Sequence, residues 1–204
     1  MITRRDALLA LGAGGAWLTF AQRATLLARQ VDPNFLRMYE DAQAHRPSPL
    51  MSIARIAPVD EPGVPLTIRA QLFDRAGTRP LPGAMIFAYH TDRTGLYNRP
   101  GARGWRLQGW ARTDDAGRFE FDTVRPAPYP ERNAAAHIHV HAEGAGVPRQ
   151  TLKDVLFEGD PLLTDTQKRE AASAGRFGNI CHVTVTDGRE SCEILYRLTG
   201  EFIF

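Results

Sequence analysis

From Val64 to the end of the chain, apolar residues recur with a period near two in short runs, each closed by turn residues. That rhythm restricts the chain to a β architecture. L-T-I-R-A-Q-L-F alternates apolar and polar residues, and A-M-I-F-A-Y is shorter and more continuously apolar. R-F-E-F-D-T follows the turn Thr113-Asp114-Asp115-Ala116-Gly117, and H-I-H-V-H alternates strictly. T-L-K-D-V-L-F, C-H-V-T-V and E-I-L-Y-R-L complete the series. Strands this short bury their apolar faces by stacking two sheets, so an all-β sandwich is expected. One short helix precedes it and another interrupts it. One falls within residues 25–48, where Phe35, Leu36, Met38 and Tyr39 lie near helical spacing after Asp32-Pro33, His45 sits at the polar end, and Pro47 and Pro49 close the segment. The other spans 164–175, with Thr164 or Asp165 as cap and Gly175 as stop. Asp114-Asp115 reads as a hairpin turn, not a catalytic dyad.

Residues 1–24 break the rhythm. Thr3-Arg4-Arg5 followed by Leu8 and Leu9, an apolar run from Ala7 to Phe20, and small residues at Ala21 and Ala24 resemble a twin-arginine export signal. The run is short and glycine-rich for a membrane span, so a retained anchoring helix is the weaker alternative and no stable span is expected in the mature chain. Residues 25–204 are then one domain, exported to the periplasm or secreted. Removing residues 1–24 takes away Arg4, Arg5, Arg23 and Asp6 and brings the formal net charge from +2 to zero. A neutral domain lacks the basic footprint of nucleic-acid binding. An oxidising compartment lets Cys181 and Cys192 pair, but their spacing around the Asp187-Gly188 turn does not align them, so the disulfide stays open.

His137 and His139, two residues apart on one strand, point to the same face and can reach one metal ion, while Ala136, Ile138 and Val140 face a core. His141 continues the face, but a rise of roughly 3.3 Å per residue carries it far from His137, and a solvated role is expected for it. HxH alone is a loose motif. The tyrosines sharpen it. Tyr129 is clamped between Pro128 and Pro130, eight residues before His137, and Tyr97 lies in the turn-like stretch H-T-D-R-T-G-L-Y-N. A phenol between two prolines is aimed at low entropic cost. Phenolates are hard anions suited to iron(III), and two of them with two imidazoles leave a formal charge of about +1 on such a centre. His90 and Tyr89 are placed at a pocket mouth, Trp105 and Trp110 at an aromatic wall or in the core, and His182 in a structural position.

In order, P-L-P-G-A-M-I-F-A-Y-H-T-D-R-T-G-L-Y, T-D-D-A-G-R-F-E-F-D-T-V-R-P-A-P-Y-P-E-R-N, A-H-I-H-V and F-E-G-D-P resemble the intradiol ring-cleavage dioxygenases, on the protocatechuate 3,4-dioxygenase side. The likeness runs from about residue 64 to 162. It implies a prealbumin-like β-sandwich with a mononuclear Fe(3+). Tyr97 and His137 would be permanent in-plane ligands; Tyr129 and His139 would be the axial pair, with Tyr129 leaving the metal to act as base. The reaction implied is cleavage of an aromatic diol by O2 between its two hydroxylated carbons, giving a muconate-type diacid. Members of the family often associate, so a homo-oligomer is an expected partner.

Two positions depart from the family pattern. Ala134 stands where an arginine usually precedes the first histidine, and Arg132 of Y-P-E-R-N is the candidate catalytic replacement. Asp154 stands where a glutamine is usual. Such groups would stabilise negative charge on the ring, so the metal is a firmer expectation than efficient turnover. Two other readings are open: a metal-free prealbumin-like binding module, and a zinc protein using His137, His139 and His141.

Overall fold

Alternation sends every second residue of each strand into one layer, and here two such layers meet. The structure is a computed structural model that describes residues 33–98, 104–144 and 146–200. The export signal expected at 1–24 lies outside those residues. Among them, no helix is long and apolar enough to cross a membrane.

The chain begins with helix α1 (Pro33–Ala44) and then runs through β1 (Ile53–Arg55), β2 (Pro65–Phe73), β3 (Met85–His90), β4 (Leu107–Arg112) and β5 (Arg118–Val124). β6 (His137–Gly144), β7 (Val147–Thr151) and β8 (Val155–Phe157) follow. Helix α2 (Asp165–Ser173), a turn of 3-10 helix at Gly175–Phe177, and strands β9 (Ile180–Cys181), β10 (Val183–Thr186) and β11 (Arg189–Arg197) complete it. One sheet has the order β1-β5-β2-β11-β10; the other is β4-β3-β6-β8-β9, with β7 beside β6. The prealbumin-like sandwich expectation therefore holds in its architecture: two packed sheets and two short helices.

Leu66, Ile68 and Leu72 of β2, Ile86 of β3, Phe121 of β5, and Ile138 and Val140 of β6 meet between the sheets and are essentially solvent-free. Each such side chain stabilises the fold by about 1.5–3 kcal/mol relative to exposure. The Asp187-Gly188 hairpin joins β10 to β11 as expected, with φ 50° and 73° at the two residues and Thr186 paired with Arg189. Thr164 caps α2 reciprocally with Gln167.

Several local expectations change. The Thr113–Gly117 turn is not a hairpin: it carries the chain from β4 in one sheet to β5 in the other, with Asp114 accepting hydrogen bonds from the backbone of Ala116 and Arg118. C-H-V-T-V divides at His182, where the chain steps from β9 in one sheet to β10 in the other. T-L-K-D-V-L-F also breaks, because Leu152–Asp154 leave the ladder between β7 and β8. Cys181 and Cys192 are buried free thiols, one in each sheet.

The outer face of the second sheet has its own cover. α1 lies across it and encloses Tyr39, Phe87, Tyr89, Trp105 and Trp110 in an aromatic layer. His141 belongs to that layer. It is 4% exposed, with the rings of Phe35 and Tyr39 each centred 5.8 Å away. The solvated role expected for it is wrong, because the helix covers a face that alternation alone would leave wet. Burial pushes its pKa down to about 3.

Candidate metal centre

Strand β6 is built on two incompatible surfaces. Ile138, Val140 and Ala142 enter the sandwich core, which fixes the register with β3. His137 and His139 therefore project from the opposite face, beyond the reach of α1 and half-buried. Tyr89, opposite His139 on β3, walls the site from behind, its ring centred 4.7 Å from the imidazole and stacked on Trp105 at 3.9 Å.

Two loops bring the phenols. The Tyr97 loop is wound on Asp92, whose Oδ1 accepts from the backbone of Thr94 and Leu96 and from the Thr94 hydroxyl. Arg106 donates to Asp92 and Glu61, which braces the loop from below. Burial opposes the charge of Asp92, but these hydrogen bonds outweigh it and hold its carboxyl below the usual range. The Tyr129 loop is tied to the same place: Thr91 donates to the carbonyl of Ala127 at 2.6 Å, and Ala127 N to that of Asp92 at 3.1 Å. Gly95 makes the approach possible. Its φ is +81°, and a Cβ there would collide with the carbonyl of Pro128.

The result is convergence of Tyr97, Tyr129, His137 and His139. Tyr97 Oη lies 2.9 Å from His139 Nε2, Tyr129 Oη lies 3.1 Å from His137 Nε2, and the two Nε2 atoms are 3.2 Å apart. The two phenol oxygens touch each other, and Tyr129 Oη is also 3.4 Å from His139 Nε2. His137 Nδ1 is 2.7 Å from the carbonyl of Ala135, and His139 Nδ1 is 2.9 Å from Asp154 Oδ1. Both partners only accept, so each Nδ1 carries the proton and each Nε2 presents a bare lone pair.

The cluster is short of protons. The two phenols supply the only protons for the whole set of contacts among the four atoms, and the two bare Nε2 lone pairs face each other. A cation at the centre relieves that. Donors about 2.0–2.2 Å from a first-row ion stand roughly 2.8–3.5 Å from one another by simple geometry, the spacing found here in every contact but the closer one between the two phenol oxygens. The residues fit a metal ion, and their oxygen and imidazole donors suit one of the first row.

The electrostatics agree. Burial raises the pKa of Tyr97, helped by its hydrogen bond to Tyr129. Burial also raises that of Tyr129, while the Tyr97 hydrogen bond and the Arg132 guanidinium pull it back. Desolvation lowers that of His137 and keeps it neutral. Arg132 is exposed, its guanidinium 5.7 Å from the Tyr129 ring centre. It lines an open cavity of about 400 Å³ together with Gly95, Leu96, Tyr97 and Tyr129.

Other expectations are corrected. His90 is not at the pocket mouth: it is fully buried, 2.6 Å from both the Thr91 carbonyl and the Thr123 hydroxyl. His182 is an exposed residue that pairs with Glu158. The zinc trio is not assembled. Among the described residues, the histidine, cysteine and carboxylate groups close enough to share an ion are His137, His139 and Asp154, without His141. Asp154 was expected only as a missing donor. It instead meets Nδ1 of His139, the nitrogen facing away from the phenols. Burial raises its pKa, but the His139 hydrogen bond and the three nearby imidazoles overcome this and lower it on balance.

A family model described as "Dioxygenase" matches residues 43–196. The fold is similar to the dioxygenase domain of a dioxygenase–carbohydrate-binding fusion from Streptomyces sp. SirexAA-E, at 26% identity and a TM-score of 0.56 over 72% of this chain and 86% of that one. It is also similar to catechol 1,2-dioxygenase from Pseudomonas arvilla C-1, at 22% identity and a TM-score of 0.56 over 81% of this chain and 67% of that one. A third similar structure is chlorocatechol 1,2-dioxygenase from Pseudomonas putida, at 20% identity and a TM-score of 0.56 over 87% and 82%. The latter two likenesses speak for the fold. With a match over three quarters of the chain, and with phenols and imidazoles meeting at one point, the protein belongs to the intradiol ring-cleavage dioxygenase family.

Proposed function

We propose that this protein is an exported non-haem iron(III) dioxygenase that opens a catechol-type ring between its two hydroxylated carbons with O2. Tyr97, Tyr129, His137 and His139 are its ligands. The observation that carries the reading is the pair of bare Nε2 lone pairs, 3.2 Å apart and each against a phenol oxygen, in a cluster short of protons. Family membership supports the oxidative chemistry over a metal-free binding module.

A ferric ion held by these four residues would supply Lewis acidity and a template for the substrate. The chain supplies the rest. Tyr97 stays in place, because its loop is pinned through Asp92 and its ring rests against Tyr89 at 5.7 Å. Tyr129 faces the open cavity between exposed prolines and is the ligand free to leave. Burial raises the proton affinity of its phenolate, so its Oη would accept a proton from a substrate hydroxyl. Arg132 places positive charge at the mouth, where an anionic diol enters. Tyr89 and Trp105 exclude water from the rear of the site.

Metal analysis with a visible spectrum, followed by oxygen uptake against a panel of catechols, tests this. The expected result is about one iron per chain, a burgundy tyrosinate-to-iron band, and oxygen consumption with ring-opened diacid product. A folded, colourless, iron-free protein overturns it.

A further inference from the structure

We infer that Asp154 is a positioning residue for the metal centre, one that lends its negative charge through His139; this rests on the ligand reading above. Asp154 Oδ1 lies 2.9 Å from His139 Nδ1, while the opposite ring nitrogen faces Tyr97 Oη at 2.9 Å. The imidazole thus bridges a carboxylate and the ligand cluster. The carboxylate meets the ring on the side away from the phenols, so its hydrogen bond to the cluster runs through the imidazole.

The backbone is arranged for this contact. Between β7 and β8 the chain leaves the ladder at Leu152–Asp154, and Asn179 Nδ2 donates to the carbonyl of Asp154 at 2.8 Å. That bond anchors the residue where the strand is interrupted. Leu152 and Val155 on either side are buried in the core, which fixes where the side chain emerges.

A carboxylate in this position does what a neutral side chain of the same shape cannot. It draws the Nδ1 proton, makes Nε2 a stronger donor and fixes the ring tautomer. It also changes the charge around the ion. Three positive charges and two phenolates leave about +1; Asp154 brings the assembly close to neutral. A centre so compensated holds the ferric state more firmly.

The test compares wild type with Asp154→Asn, which keeps the shape and an accepting oxygen but removes the charge, and with Asp154→Glu, which restores it. In Asp154→Asn, ferric affinity measured by chelator competition should fall by about ten- to a hundredfold. The midpoint potential should rise, and the tyrosinate-to-iron band should move to longer wavelength. Asp154→Glu should recover part of each shift. A wild-type band with unchanged affinity, potential and wavelength in Asp154→Asn overturns the inference and leaves the iron reading standing. A wild type without iron or band overturns both.

Discussion

Gly95 packs against Pro128 so closely that the loop carrying Tyr97 rests on the loop carrying Tyr129. The contact needs both a positive φ and a missing side chain, and it decides how far apart Tyr97 and Tyr129 stand. Gly95→Ala should therefore separate the phenols. Backbone strain alone should cost about 1 kcal/mol or more, a modest loss beside the sandwich core. Thermal unfolding should shift by a few degrees, while the tyrosinate band weakens or vanishes. An intact band at full iron loading would refute this reading of the loop contact.

The four proposed ligands and the buried histidine beyond them should behave differently. His139→Ala and Tyr97→Phe should abolish iron retention, and Tyr129→Phe should keep iron but alter the band and slow turnover by about a hundredfold or more. His141→Gln should leave iron stoichiometry near wild type and lower the melting temperature, since that ring sits among Phe35, Tyr39 and Phe87. Metal analysis and thermal scans on the same preparations separate the two outcomes. Iron loss in His141→Gln matching that of His139→Ala would revive a three-histidine site.

Metal uptake should release protons. Burial holds both phenols protonated in the metal-free protein, and a phenolate ligand must give its proton up. About two protons per ion should appear in a weakly buffered titration. Affinity should then fall by up to about a hundredfold for each pH unit of acidification, since two protons compete with one ion. Indicator titration and chelator competition at several pH values measure this.

His90 gives the fold itself a pH dependence. Burial, opposed by its bond to the Thr91 carbonyl, pushes its pKa down to about 4, against about 6.5 in the unfolded chain. Between those values the unfolded state binds a proton that the folded state refuses. Stability is therefore complete above pH 6.5 and falls as pH drops toward 4, by up to about 1.4 kcal/mol per unit. Melting temperature measured across this window should decline more steeply for wild type than for His90→Gln.

Arg132 should affect substrate capture more than the centre. Arg132→Ala should raise KM for an anionic catechol several-fold and leave iron content unchanged, which steady-state kinetics at two ionic strengths can resolve.

The parts legible from sequence were those governed by local rules. Strict alternation in H-I-H-V-H placed Ile138 and Val140 in the core and His137 and His139 opposite them. Pro128 and Pro130 marked Tyr129 as a fixed side chain. The capping signal at Thr164 and the Asp187-Gly188 turn were equally local. What escaped depended on contacts between distant segments. His141 looked wet because nothing in its own strand announces that α1 will lie over it. β1, three residues long and largely exposed, does not stand out from the connecting chain, and in β4, L-Q-G-W-A-R, Gly109 interrupts the alternation of side chains. Asp154 sat in an apolar run that reads as one continuous strand; only the interruption between β7 and β8 turns its carboxylate toward His139.

The two faces of β6 carry one further implication. The same backbone that seals the hydrophobic interior also sets the gap between the two imidazoles. With iron held as proposed, a methylene removed at Ile138 or Val140, both buried and pointing away from the phenols, should register in the colour of the protein. Absorbance would then serve as a gauge of packing in the interior.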